Sequence, residues 1–315
     1  MAVVVTGGAG FIGSHLVERL LAQGREVICL DNFDPFYPRR LKEANLAGVL
    51  GHPRFQLAVA DVRSSSRLRA ALAGASVEAV VHLAARPGVR PSFRQPLAYL
   101  RANVLGTLNV ARLCREMGVR RLVLGSSSSV YGAVAGPVDE DAPCRPLSPY
   151  GASKLAAEAV AAACAGTGLT VAAARLFTVY GPRQRPDMAI GRFAAALLRG
   201  RPIVLYGDGL VRRDFTFVDD AVDGLVRVLE APLTGFQALN LASGQPTPLR
   251  EVVGLLEGLL GRRARVLLRP LPEGDPPLTW GDIGRARRLL GYAPCVGLEE
   301  GLRRYVDWLL GERHD

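Results

Sequence analysis

The chain has 315 residues, 49% hydrophobic and 22% charged, with 39 lysines plus arginines against 29 acidic residues and a formal charge of +10. That length allows one large α/β domain or two lobes, and no apolar run approaches the ~20 residues that cross a bilayer, so no membrane-spanning helix is expected. The arginines are dispersed, without a basic run or a nucleic-acid motif. The positive balance therefore points to small anionic ligands and not to nucleic acid.

The elements follow in chain order. Residues 3–6 form a β-branched run that enters Gly7-Gly8-Ala9-Gly10-Phe11-Ile12-Gly13, and residues 14–23 read as a helix. The apolar start lacks a basic flank and runs straight into the glycines, so it reads as a buried strand and not a signal peptide. Strand, glycine turn and helix are the context of a phosphate-cradling loop. Gly7 allows the tight turn, Gly10 the approach of a pyrophosphate, and Gly13 the packing of helix on strand. Residues 26–30 form the next strand and end at Asp31, where a carboxylate accepts hydrogen bonds from ribose hydroxyls and repels a 2′-phosphate. NAD is expected over NADP. Residues 55–60 lead into Asp61-Val62, with Asp61 at the adenine edge. Residues 77–83 end at Leu83 and open into Ala84-Ala85, whose small side chains leave room for the cofactor. Residues 102–117 read as a helix, and strand 121–124 delivers Gly125-Ser126-Ser127-Ser128-Ser129. Alternating strands and helices of this kind argue for an α/β fold with a doubly wound parallel sheet and the ligand at the strands' carboxyl ends.

Tyr150 and Lys154 stand four apart at a helix start, and Lys42 is the only other lysine. Side chains at that spacing share a face. A fixed ammonium favours the phenolate and draws the tyrosine pKa down from its ordinary ~10, giving a proton acceptor able to work on an alcohol. A serine after strand 121–124 would hydrogen-bond the same substrate oxygen. Ser127 is the choice, Ser126 a possible helper, and Ser128 and Ser129 face another part of the ligand if strand alternation persists. The alanine-rich helix 153–163 should be buried between two surfaces, one of them the sheet. Beyond residue 178 Gly and Pro break the pattern. The division expected is a cofactor-binding Rossmann lobe at 1–178, to which 213–242 partly return, and a smaller α/β substrate lobe at 179–315. The five scattered cysteines show no ligand spacing, so free thiols, no metal and a cytoplasmic protein are expected.

Thr6 to Gly13, His82-Leu83-Ala84-Ala85, Ser126 to Gly132, Tyr150 with Lys154, Arg213-Asp214-Phe215-Thr216 and Leu290-Gly291-Tyr292-Ala293-Pro294 together resemble the extended short-chain dehydrogenase/reductases. Within them the chain resembles the nucleotide-sugar epimerases. The likeness spans nearly the whole chain. It implies NAD as cofactor, held by Gly7, Gly10, Phe11, Ile12, Gly13, Asp31, Asn32, Asp61, Val62, Leu83, Ala84, Ala85, Tyr150 and Lys154. It also implies a homodimer joined through the helices at 102–117 and 153–163, the alternative being burial by the chain's own C-terminal lobe. Dehydratases of this fold carry an acidic pair beside the catalytic hydroxyl, whereas this chain has Ser127-Ser128-Ser129, which favours simple epimerisation.

Asp31-Asn32-Phe33, Pro87 to Ser92 with Arg90, and Phe177-Thr178-Val179-Tyr180-Gly181-Pro182 with Arg185-Pro186-Asp187-Met188 resemble the UDP-glucuronate 4-epimerases in particular. The resemblance implies a UDP-sugar substrate and hydroxyls of Ser128, Ser129 and Thr178 on a C6 carboxylate. Arg185 would add charge there or shape the pocket. Arg213 would bind UDP phosphate, Leu205 and Tyr206 would flank uracil, and Asp275 would reach the ribose. Arg86-Pro87 and Arg183-Gln184 depart from that subgroup. The alternatives are a UDP-glucose/UDP-galactose 4-epimerase and, in another class, a non-catalytic NAD(H) sensor, against which Tyr150 with Lys154 argues.

Overall fold

β1 (Ala2–Thr6) sends Val3 and Val5 into one core and Ala2 and Val4 into another. A strand buried on both faces belongs to the middle of a covered parallel sheet. The protein, described here from a computed structural model over residues 1–166 and 168–311, builds that sheet from repeated strand–helix units. α1 (Phe11–Ala22), β2 (Glu26–Asp31), α2 (Arg39–Leu46), β3 (Phe55–Val59), α3 (Ser65–Ala71) and β4 (Val77–His82) come first. α4 (Val89–Arg94), α5 (Pro96–Tyr99), a π-helical turn at Leu100–Leu105, α6 (Gly106–Glu116), β5 (Arg121–Ser127), α7 (Pro149–Ala162) and β6 (Thr170–Leu176) follow.

The second half runs β7 (Thr178–Tyr180), α8 (Ala189–Leu198), β8 (Ile203–Tyr206), β9 (Arg212–Phe217), α9 (Val218–Glu230), β10 (Phe236–Leu241), β11 (Pro246–Pro248), α10 (Leu249–Leu260), β12 (Val266–Arg269), α11 (Gly284–Leu290) and α12 (Leu298–Gly311). The main sheet has seven strands in the order β10-β6-β5-β4-β1-β2-β3, each pair parallel. It is the doubly wound fold expected. The order reverses between β1 and β4, so a crevice opens at their carboxyl ends. Leu16, Val17 and Leu20 of α1 and Ala221, Val222 and Leu225 of α9 cover one face. Leu68 of α3, Val110 and Ala111 of α6, and Ala157 and Ala161 of α7 cover the other.

α9 and β10 return to the main sheet, whereas β9 stands between β7 and β11 in a three-stranded sheet. β8 and β12 make a separate parallel pair. The helix read at 102–117 is two pieces, the end of the π turn carrying Asn103 and then α6. π turns concentrate at functional sites because they re-aim a side chain without ending the helix.

One buried polar network crosses the sheet. Arg175 on β6 bonds Glu158 on α7 through Nε and Nη2 at 3.0 and 2.8 Å, with the two side chains 6% and 4% exposed. Arg175 Nη1 also donates to the Tyr131 hydroxyl at 2.9 Å, which donates to Asn240 Oδ1 on β10 at 2.6 Å. Asn240 N donates to Glu140 Oε1 at 2.7 Å. Removing one partner of such a pair leaves a buried charge unmatched. Arg175→Met is therefore expected to destabilise the fold by about 3–5 kcal/mol, and adding Glu158→Leu should recover most of it. Thermal denaturation of the two variants checks this: an Arg175→Met melting temperature equal to the parent's would contradict it.

Candidate active site

The crevice is a cavity of about 430 Å³ running from the glycine loop to α7. At one end β1 gives way to the loop and α1 begins at Phe11 with Gly10 as its N-cap. No side chain caps it and its first turn holds no acidic residue. The free N–H groups there suit an anion. A Cβ on Gly13 would stand 2.2 Å from the Gly7 carbonyl oxygen, so only glycine lets helix and loop approach so closely.

Asp31 lies buried on the cavity wall and its oxygens already accept three bonds. They come from Ala9 N at 3.2 Å, Phe33 N at 2.8 Å and the Lys42 ammonium at 3.2 Å. The bare carboxylate read from the sequence is thus a paired one, and Lys42 offsets part of the charge that would repel a 2′-phosphate. Asp61 accepts from Asn32 Nδ2 at 3.1 Å and from Arg63 Nε at 2.9 Å. The Arg63 hydrogen bonds pull its pKa down to about 2, so it stays ionised. Phe11, Ile12, Val62, Leu83, Ala84 and Ala85 line the same wall. Ala84 N donates to Thr6 Oγ1, which stands 2.6 Å from His82 Nδ1. The other His82 nitrogen faces Thr107.

At the other end α7 starts with Ser148 accepting from Gly151 N at 3.1 Å and Pro149 in the first turn, which puts Tyr150 and Lys154 on the cavity side. A Cβ on Gly151 would meet the Ser129 carbonyl oxygen at 2.4 Å, so this glycine lets the helix start press against the end of β5. Lys154 Nζ donates to the Gly125 carbonyl at 2.7 Å. Burial lowers its pKa to about 8, and the Glu158 charge works against that. Tyr150 corrects the sequence reading. Burial pushes the phenol up from its ordinary value, and what opposes the rise is a hydrogen bond with Ser127 and the charge of Arg185, not Lys154. Desolvating the phenolate outweighs these attractions.

The serines divide differently than strand alternation implies. β5 ends at Ser127, and Ser128–Val130 turn as a 3-10 helix. Ser127 Oγ accepts from Ser129 N and donates to Ser129 Oγ, both at 3.2 Å. Ser126 Oγ points away and donates to Glu158, so it is no helper at the phenol. Ser127, Ser128, Ser129, Thr178 and Arg185 share the cavity wall with Tyr150. Arg185 bonds Asp187 at 2.9 Å.

Arg90, Leu205, Tyr206, Arg213 and Asp275 lie outside that wall. Arg90 Nη2 bonds Asp275 Oδ2 at 2.9 Å and its guanidinium sits 4.1 Å over the Tyr206 ring. Burial lowers the Arg213 pKa, with Asp275 opposing and Arg90 adding to the fall, so the four polar residues form one cluster. Leu205 is fully buried in the core, and only the neighbouring Tyr206 presents a ring.

Asn103 escaped the sequence reading. Its Oδ1 accepts from Arg86 N at 2.7 Å, and its Nδ2 donates to Arg86 O at 3.1 Å and to Ser153 Oγ at 2.9 Å. Ser153 Oγ in turn donates to the Tyr150 carbonyl at 2.7 Å. The π turn thus fixes the Arg86 backbone and the first turn of α7 together. No spacing signal marks it. Lys42 did have a signal: it is a lysine kept in an arginine-rich chain.

The family model described as NAD dependent epimerase/dehydratase family matches residues 3–242. A UDP-glucuronate 4-epimerase of Thermodesulfobacterium geofontis is 39% identical over 308 residues, covering 97% of this chain and 95% of that protein. The crystal structure of the UDP-glucuronic acid 4-epimerase of Bacillus cereus, in complex with UDP-glucuronic acid and NAD, superposes with a TM-score of 0.93 at 35% identity. It covers 99% of this chain and 100% of that one. A dTDP-glucose 4,6-dehydratase of Streptomyces venezuelae, DesIV, with NAD bound, superposes equally well, with a TM-score of 0.93 at 36% identity, covering 100% and 98%. Glycine loop, paired tyrosine and lysine, and sequence likeness over nearly its whole length agree: the chain belongs to the NAD dependent epimerase/dehydratase family.

Proposed function

We propose that the protein inverts C4 of UDP-glucuronate to give UDP-galacturonate through a 4-keto sugar, with NAD as resident cofactor. One observation carries this reading. Tyr150, Lys154 and Ser127 meet at one end of the cavity, and the wall beside them supplies hydroxyls from Ser128, Ser129 and Thr178 in place of a carboxylate. The acidic residues of the wall are Asp31, Asp34 and Asp61, all from the β2 and β3 side. An elimination at C5 and C6 has no acidic pair to use at the Tyr150 end, and an anionic sugar meets no like charge there.

The cavity fits a dinucleotide: the uncapped start of α1, the Gly13 cradle and the paired Asp31 and Asp61 line one end, and Tyr150 and Lys154 the other. Gly7, Gly10, Gly13 and the first turn of α1 would hold the pyrophosphate, and Asp31, Asn32, Asp61 and Val62 the adenosine. NAD⁺, when bound, supplies a hydride acceptor and a positive charge. Tyr150, as phenolate, would take the proton of the C4 hydroxyl as C4 is oxidised and would return it as C4 is reduced from the opposite face. Lys154 gives one N–H to Gly125 and keeps two for a ribose, which holds the helix start and the cofactor in one frame. Ser127 orients the sugar oxygen. Arg213, Arg90 and Asp275, with the Tyr206 ring, would grip the UDP end while the sugar turns over.

The 4-keto sugar is a β-keto acid, which loses carbon dioxide when the carboxylate bond turns perpendicular to the carbonyl. Ser128, Ser129 and Thr178 would prevent that by hydrogen bonds strengthened by the ionised acceptor. We also propose a cytoplasmic homodimer. Leu97, Leu100 and Leu105 are 65%, 45% and 43% exposed along α5 to α6. Ala152, Ala159 and Ala163 are exposed beside them on α7 and just past its end. A second copy of that two-helix face would cover this apolar surface. The five cysteines are free thiols, as a reducing compartment keeps them.

Four outcomes are expected. Tyr150→Phe should lose at least about 10³-fold in turnover, in keeping with the loss of a positioned base, while retaining NAD. Product analysis of side-by-side assays should show UDP-glucuronate converted faster than UDP-glucose, whereas Ser128→Ala with Thr178→Val should raise the pentose fraction by decarboxylation. A preference for UDP-glucose would turn the reading to the hexose epimerase. Light scattering should find a dimer that Leu100→Glu dissociates, and a monomeric parent would remove the dimer.

A further inference from the structure

The loop between β2 and α2 also lines the cavity with two aromatic side chains, Phe36 and Tyr37. Phe36 has the guanidinium groups of Arg86 and Arg185 each 5.9 Å from its ring centroid. Tyr37 has the Lys42 ammonium at 5.3 Å, and Phe33 has Arg39 at 4.8 Å. Cations over aromatic faces attract through the ring quadrupole. Lys42 also bonds Asp31, so the loop is tied at once to the cofactor-side carboxylate and to the walls carrying Arg86 and Arg185.

One atom of this loop lacks a partner. The Tyr37 hydroxyl is buried without a hydrogen bond among the described residues. A buried hydroxyl in that state is unfavourable unless something completes it. Tyr37 lines the cavity, and its hydroxyl lies 3.9 Å from the place a Cβ would take on Gly10, the N-cap of α1. Burial and the charges of Asp31 and Asp187 raise its pKa, against Arg185, so it remains a neutral donor. A donor at the uncapped start of a helix, beside the loop's own N–H groups, calls for an anionic oxygen between them.

We infer that Tyr37 is a cofactor ligand, its hydroxyl donating to the pyrophosphate of the dinucleotide, and that Phe36 and Tyr37 form a latch across the cofactor's exit. This rests on the reading that NAD occupies the cavity. The latch accounts for a cofactor that stays bound through repeated turnovers: with Phe36 between two arginines, the dinucleotide leaves only after the loop lifts.

Tyr37→Phe removes one oxygen and leaves the ring on Lys42. Exchange of bound NAD against labelled NAD in the holoenzyme should be about tenfold faster in the variant, as expected for a lost hydrogen bond to a charged acceptor. ADP should compete for the site less well than against the parent, while adenosine competes equally. An unchanged exchange rate overturns the assignment, as does equal weakening of ADP and adenosine. An unchanged exchange rate with a raised KM for the UDP-sugar would place the hydroxyl on the substrate instead. A parent that holds no NAD removes the cofactor reading along with it, so the two failures are told apart by the parent alone.

Discussion

Lys154 Nζ donating to the Gly125 carbonyl is the contact on which the site depends. It draws α7 onto the carboxyl end of β5, and it is possible only because Gly151 leaves room for the Ser129 carbonyl. The Tyr150 phenol and the Ser127 hydroxyl are brought together by that approach. The cost is desolvation. Burial lowers the lysine's pKa to about 8 and raises the tyrosine's. Neither group is set for proton transfer by the other alone. The positive charge of NAD⁺, when bound, would favour the phenolate and tie proton transfer to a loaded site.

Behind this contact stand two supports that reach across the molecule. Glu158, one turn after Lys154, joins Arg175 and Ser126 in the buried network and opposes the fall in the lysine's pKa. It fixes the strand residue next to Ser127 as well as the helix that carries the lysine. On the other side, Asn103 in its π turn binds Arg86 and Ser153, and through Ser153 the first turn of α7. Strand, helix and π turn therefore converge on Tyr150 from three directions, which suits the proton acceptor proposed for it.

Much of this was legible in the sequence because it is local. Glycines at fixed spacing, β-branched runs, and a tyrosine and lysine four apart each announce an element by itself, and their sum resembles one family. The cavity wall follows, since strand ends and helix starts must meet at the switch point. The rest depends on partners far away in the chain. Arg90 meets Asp275 across 185 residues, and Arg175 meets Tyr131 and Glu158 from a strand that reads only as apolar. The serine run was read with strand alternation carried two residues too far, over Ser128 and Ser129, because nothing local shows that β5 stops at Ser127. The direction of the Tyr150 shift was missed for a related reason: burial is a property of the assembled site, and spacing shows only charge.

The central claim is that C4 of the sugar is oxidised and reduced by the same resident cofactor, with Tyr150 handling only the oxygen-bound proton. Epimerisation of UDP-glucuronate carrying deuterium at C4, run in ordinary water, tests it most directly. The account predicts that the product keeps its deuterium at C4 and forms more slowly than from unlabelled substrate. Replacement of the label by solvent hydrogen would contradict it, since that outcome requires a base acting at carbon and no internal hydride return.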